Sequence, residues 1–234
     1  LSEPAQAESD VASIDPAVLN PMIEQFLLDD PKVLQRVSTA LEQTLRAEEA
    51  ERSATALAEF RDQIFNAPGQ IVLGNPDGDV TLVEFFDYNC GFCQRAMEDM
   101  MSMMEQDPEL KFVLKEFPIL GPNSTIASEA AIAAIPQGKY LDFHFALLES
   151  KGTLDRAKVM EIAEAEGLDT DKLARDMESA RVDRIIDTNH DLAREIGVRG
   201  TPAFVIGDSL IPGAASIEEI EARIQAVRDA AKAG

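Results

Sequence analysis

The stretch Val80–Cys93, VTLVEFFDYNCGFC, constrains this chain more than any other. Val80, Leu82 and Val83 are strand formers, and Phe85 and Phe86 make the run nearly continuously apolar, as in a strand buried on both faces. The run breaks at Asp87-Tyr88-Asn89 and restarts as Cys90-Gly91-Phe92-Cys93. Gln94 to Met101 then favours helix at most positions. Cys90 therefore falls where a strand hands over to a helix.

That position has chemical consequences. A helix N-terminus carries partial positive charge and unpaired N–H groups, which favour thiolate over thiol. The thiolate is the nucleophile, and a Cys-x-x-Cys pair in such a place commonly has a lowered pKa. Two intervening residues bring the second sulfur back over the first turn, so the pair can close a disulfide or resolve a mixed one. The chain has 2 cysteines, so neither has another partner within it. A purely structural Cys90–Cys93 bridge would close a very short loop and constrain little of the unfolded chain. A zinc site needs about four ligands, and only His144 and His190 could join the cysteines, with no second CxxC or HxxxH. A CxxC that follows a buried strand and opens a helix points instead to redox chemistry.

The 234 residues suffice for one large domain or a domain plus an extension, and 45% are hydrophobic, enough for a core. The net charge of −22 opposes phosphate, which argues against nucleic-acid or anionic-membrane partners. No apolar run is long enough for membrane insertion. The sequence starts at Leu1 and runs on as Ser2-Glu3-Pro4-Ala5. That start is expected of a trimmed chain or of a mature secreted one whose signal has been removed.

Residues 1–15 are polar and rich in Ala, Glu and Ser, an expected disordered terminus. From Pro16, the residues Leu19, Met22, Ile23, Phe26 and Leu27 recur at helical spacing. Asp30-Pro31 ends one helix and starts a second, expected to run to near Phe65. Its apolar positions shift register across Ala47–Arg52, so one continuous coiled coil is not expected. The segment 16–66 reads as a helical pair and stalk whose apolar face needs cover, either from the main domain or from other copies. Residues 67–234 read as the catalytic domain. There Ile71–Gly74 is a short edge strand and Leu110–Phe117 pairs in parallel with the central strand through the CxxC helix. Helices fill about 122–195, and a strand pair at Ala203–Gly213 precedes a last helix capped by Ser216 and Glu219.

Glu84 lies inside the apolar strand, where a carboxylate is costly unless paired. Two readings stay open: Glu84 is a proton acceptor for Cys93 with Lys115, mid-strand in the next strand, as its partner, or it turns to solvent. His144 reads as a helix-surface or core residue, and His190 as solvent-exposed.

EFFDYNCGFC, followed more than a hundred residues later by GVRGTPAFVIG, resembles the DsbA branch of the thioredoxin superfamily over about residues 74–231. The resemblance implies an α/β thioredoxin fold with an inserted helical subdomain. It also implies a cis Pro202 lying against the CxxC, and a Thr201 whose backbone meets an extended substrate chain. The segment PMIEQFLLDDPKVLQRVSTALEQ is similar to the N-terminal region of the ScsC, or suppressor of copper sensitivity, group. That similarity implies a homo-oligomer, with three chains favoured. Gly91-Phe92 replaces the Pro-His pair of DsbA and resembles the isomerases DsbC and DsbG, and threonine before the proline is found in DsbC too.

The expectation is a periplasmic thiol–disulfide oxidoreductase with no cofactor beyond Cys90 and Cys93, a disulfide isomerase in preference to an oxidase. Its partners would be misfolded or unfolded secreted proteins with cysteines and a membrane redox protein. A copper-handling protein that holds Cu(I) on the dithiol, since soft thiolates suit that ion, stays open as an alternative class.

Overall fold

Successive side chains of a strand point to opposite faces, so the nearly continuous apolar runs of the strands set up a sheet covered on both faces. The computed structural model describes residues 15–233, so the expected disorder of residues 1–15 lies, except for Asp15, outside the described residues. The sheet has five strands: β1 (Ile71–Gly74), β2 (Val80–Phe86), β3 (Leu110–Glu116), β4 (Ala203–Ile206) and β5 (Ser209–Pro212), in the order β1-β3-β2-β4-β5. β2 and β3 are parallel; the other neighbours are antiparallel. β2 is thus central, as its nearly continuous apolar run requires.

Among the described residues there are ten α-helices: α1 (Pro16–Asp29), α2 (Val33–Glu59), α3 (Arg61–Phe65), α4 (Gly91–Gln106), α5 (Pro122–Ala134), α6 (Tyr140–Glu149), α7 (Arg156–Ala165), α8 (Thr170–Met177), α9 (Ala180–Ile196) and α10 (Ile217–Ala233). α4 connects β2 to β3, and α5–α9 form the expected insertion. One side of the sheet buries Leu82, Phe86, Phe112, Leu114, Phe204 and Ile206 with Met97, Met100 and Met103 of α4. The other buries Val83, Phe85, Val113 and Val205 with Ile64 and Phe65 of α3 and Leu192 and Ile196 of α9. α5 presents Ala127, Ala130, Ala131 and Ala134, all fully buried, and these small side chains admit close neighbours. Gly207, at φ +60, makes the β4–β5 turn, where an added Cβ would come within 2.7 Å of Val227.

The chain divides into two compact units, one ending at Glu51 and the other starting at Arg52. In the first, Asp15 caps α1 by accepting from the Ala17 N–H at 2.9 Å. Asp30 accepts from the Lys32 N–H and meets Arg36 at 2.6 Å, and α2 starts at Val33 rather than Pro31. Met22, Ile23, Phe26, Leu34, Val37, Leu41 and Leu45 are all exposed. The second helix does not run unbroken to Phe65 as expected. It breaks at Phe60, which lets Ile64 and Phe65 enter the core. Leu57, Ile64 and Phe65, which lie in the expected stalk, are buried in the core of the second unit. His190 is half-buried against the Phe117 ring at 4.9 Å, not solvent-exposed.

Candidate active site

β2 ends at Phe86, and the three residues after it build the platform for the cysteines. Asp87 is fully buried and its carboxylate accepts from the N–H groups of Asn89 at 2.8 Å, Ile119 at 2.8 Å and Leu120 at 3.0 Å. Asn89 donates to the Ser124 hydroxyl at 3.2 Å and accepts from the Leu154 N–H at 3.1 Å, tying the turn to the helical insertion. Cys90 then takes the N-cap position of α4, and its carbonyl accepts from the N–H groups of Cys93 at 2.9 Å and Gln94 at 3.1 Å. Both thiols are free; Cys90 is 5% exposed and Cys93 1%. Between them Phe92 is 55% exposed, with the Arg95 guanidinium 4.5 Å from its ring centre.

Thr201-Pro202 is a cis peptide bond, and the Cys90 thiol donates to the Thr201 carbonyl at 3.3 Å. Thr201 is half-buried and Pro202 buried. The two motifs read as halves of one site, 111 residues apart, are thus in contact.

The two sulfurs are electrostatically unequal. Hydrogen bonding from the Cys93 thiol lowers Cys90 to about 5, against burial and with further help from the Thr201 side chain and the N–H groups of Cys93 and Phe92. Burial first, then the hydrogen bond to Cys90 and the charge of Glu84, pushes the Cys93 thiol well up. One thiolate and one protonated thiol follow at neutral pH.

Glu84 is 3% exposed, which removes the solvent-facing reading. It shares the face of β2 that bears Leu82 and Phe86, beneath the cysteines, and its Oε1 is buried without a hydrogen-bond partner. Burial, and then the nearby Cys90 charge, raises it to about 8. Lys115 is not its partner. In the β2–β3 register Glu84 lies opposite Leu114 and Lys115 opposite Phe85, so period-two alternation sends the two side chains to opposite faces. Lys115 instead donates to the Gln63 carbonyl at 2.9 Å, and burial lowers it to about 8.

Sequence reasoning missed a buried polar cluster behind the site. Glu116 is fully buried and accepts from the hydroxyls of Tyr88 at 2.9 Å, Tyr140 at 2.7 Å and Ser128 at 2.8 Å. Burial raises Glu116 to about 7 against those three hydrogen bonds. His144 Nδ1 lies 2.8 Å from the Tyr88 hydroxyl, so it is a core residue, held well below its usual range, at about 3, by burial. A carboxylate at the end of an apolar strand and a tyrosine just before the cysteines were the available signals. Among the described residues, no three His, Cys, Asp or Glu side chains are grouped to hold a metal ion.

A five-stranded sheet with an inserted helical subdomain, and a polarised dithiol facing a cis proline, define a thiol–disulfide oxidoreductase on a thioredoxin fold. The chain belongs to the DSBA-like thioredoxin domain family, whose model matches residues 81–225. A thioredoxin-like oxidoreductase from Silicibacter pomeroyi is 45% identical, with TM-score 0.71 over 72% of this chain and 98% of that one. Proteus mirabilis ScsC in a transitional conformation is 27% identical, with TM-score 0.68 over 94% of this chain and 98% of that one. Disulfide bond formation protein D of Bacillus subtilis is 24% identical over 169 residues, 67% of this chain and 76% of that protein. The chain spans 24% of the length of Na(+)/H(+) antiporter NhaA 1 from Salinispora arenicola, to which it is 29% identical over 155 residues. Among the described residues, no helix is long and apolar enough to cross a membrane.

Proposed function

We propose that the protein is a periplasmic disulfide isomerase and reductase for secreted proteins, working as a homo-oligomer, with three chains favoured. Its chemistry rests on the unequal dithiol. The Cys90 thiolate attacks one sulfur of a client disulfide, an S–S bond forms between Cys90 and that sulfur, and the other client sulfur leaves as thiolate. In isomerisation a client thiolate later attacks the mixed disulfide, releases Cys90 as thiolate and leaves the client with a different pairing and no net redox change. In reduction Cys93 gives up its proton, attacks Cys90 and releases the second client sulfur, leaving Cys90–Cys93 oxidised. A dithiol-bearing membrane partner then restores the reduced pair. Glu84, when ionised, is the acceptor for the Cys93 proton; its pKa near the working pH suits that task. Thr201 and Pro202 form the floor on which the client chain lies.

The observation that carries isomerase over oxidase is the exposed apolar set on α1 and α2, including Ile23, Phe26, Leu34 and Leu41. Water does not support such a set on marginal helices without cover. If copies of the chain supply the cover, several dithiols share one space and a client is attacked repeatedly before it escapes. Oxidase is the second reading, favoured by the Cys90 thiol at about 5, because a stabilised thiolate stabilises the reduced enzyme and makes its disulfide a stronger oxidant.

Two assays in parallel separate them: recovery of activity from scrambled ribonuclease, and oxidation of reduced ribonuclease. Isomerase predicts that the first is fast with the intact chain and is lost in a Phe26→Asp/Leu41→Asp double variant of lower mass by light scattering. A monomeric intact chain, or scrambled-ribonuclease activity that survives the double variant, refutes the assembly reading.

A further inference from the structure

Lys115 has no role at the dithiol, and its surroundings suggest another. β1 stops where Ile71 pairs with Leu114, while β3 runs on through Lys115 and Glu116 without a β1 partner. Over this step lies a cavity of ≈ 600 Å³, walled by α3, the 66–70 linker and α9. That volume is in the range of small-molecule sites.

The cavity is cationic on a chain whose net charge is −22. Lys115, Arg181 and Arg184 line it, and none of the ion pairs among the described residues involves them. Lys115 is 4% exposed and the hydrogen bond shown for its ammonium goes to the neutral Gln63 carbonyl. A buried ammonium without a counter-charge is costly. Of the two acidic residues lining the space, Glu116 has its carboxylate taken up by three hydroxyls, and only Asp62 remains, at the exposed rim. Gln70 supplies a second unmet demand. Its Nε2 donates to the Phe65 carbonyl, but its Oε1 is buried in this wall with no donor. The rest of the lining includes the apolar side chains of Ile71, Ile185 and Leu192.

We propose that this cavity binds a small amphipathic carboxylate that also carries an N–H or O–H donor. The carboxylate meets Lys115, Arg181 and Arg184, the donor meets Gln70 Oε1, and the apolar body lies against Ile71, Ile185 and Leu192. An acylated apolar amino acid has this chemistry. A bare inorganic anion would leave Gln70 and the apolar wall unmet, and a cation would meet three like charges. Lys115 titrates near 8, so the site is charged for an anion at neutral pH.

The test is calorimetric titration of the intact, oxidised protein with N-acetyl-leucine, beside N-acetyl-leucinamide, which has the same body and no charge. Saturable binding of one N-acetyl-leucine per chain is expected, with the amide weaker by about tenfold or more. Lys115→Met and Arg184→Ala should each weaken N-acetyl-leucine by about fivefold or more. Arg184 is exposed, so that variant tests the site even if Lys115→Met does not fold. Overturning results are no saturation by about 10 mM, equal affinity for acid and amide, or unchanged affinity in a folded Lys115→Met or Arg184→Ala variant. A leucine-ended tetrapeptide that binds more tightly than N-acetyl-leucine would overturn the assignment to a small molecule.

Discussion

Glu84→Gln isolates the electrostatics under the active site. The folded carboxyl titrates near 8 and the unfolded one near 4.5. Between those values the folded state holds a proton that the unfolded state has released, so stability falls as pH rises through that window. At 1.36 kcal/mol per pH unit, the penalty grows by roughly 3–4 kcal/mol between pH 5 and pH 8. Glutamine keeps the size and cannot ionise, so the variant escapes this loss. The two reduced proteins should therefore have similar stability at pH 5, and the variant should lead by roughly 3 kcal/mol at pH 8. In urea, with a slope of about 2 kcal/mol per molar, the midpoints then separate by more than about 1 M at pH 8. Other titrating groups are common to both proteins and largely cancel in the difference. A constant offset from pH 5 to pH 8 would show that Glu84 ionises normally and is solvated or paired.

Thiolate absorbance of the reduced protein should titrate with a midpoint near 5 and vanish in Cys90→Ser, and alkylation should reach Cys90 first; faster labelling of Cys93 would reverse the nucleophile assignment. Tyr88→Phe removes one of three donors to buried Glu116, so it should cost about 1–2 kcal/mol at pH 8, measured by urea unfolding, and less at pH 5, where the carboxyl is protonated. Arg228 bridges Asp79 at 2.8 Å and Asp107 at 2.6 Å and holds both carboxyls below their usual range. With these groups partly exposed, Arg228→Ala should cost about 1 kcal/mol at pH 7, a loss that 1 M salt reduces and that shrinks as pH falls below 4.

The parts of the fold set by local pattern were legible in the sequence. β2, β3 and α4 announce themselves through an apolar run, a turn and a helix-forming segment, and Thr201-Pro202 before a strand marked the second half of the site. What was not legible depended on tertiary register. Glu84 and Lys115 look like partners because both are charges in neighbouring apolar strands, yet the register offsets them by one residue and alternation separates them. The break at Phe60 follows from Ile64 and Phe65 being needed in the core, which no helical propensity reveals. In the sequence Glu116 is only the polar end of a strand, because its three hydroxyl partners come from Tyr88, Ser128 and Tyr140, brought together only by the fold.

The low Cys90 pKa bears on both functional readings, and its size shows why it does not choose between them. Ionisation near 5 rather than 9 stabilises the reduced form at pH 7 by at most about 3 kcal/mol, equivalent to roughly 60 mV. The groups that lower the pKa include the N–H of Phe92, and solvent screening beside exposed Gly91 and Phe92 reduces this to about half. A shift of about 30 mV is small against the span between reducing and oxidising members of the thioredoxin superfamily. The same low pKa makes Cys90 a thiolate throughout the neutral range and a good leaving group from a mixed disulfide, which speeds release whichever way electrons flow. Direction therefore lies outside the dithiol, in what reduces or oxidises Cys90–Cys93 and in how many copies meet one client. In this chain the feature bearing on the second of these is the exposed apolar set of α1 and α2, which is why assembly and isomerisation are tested by the same substitutions.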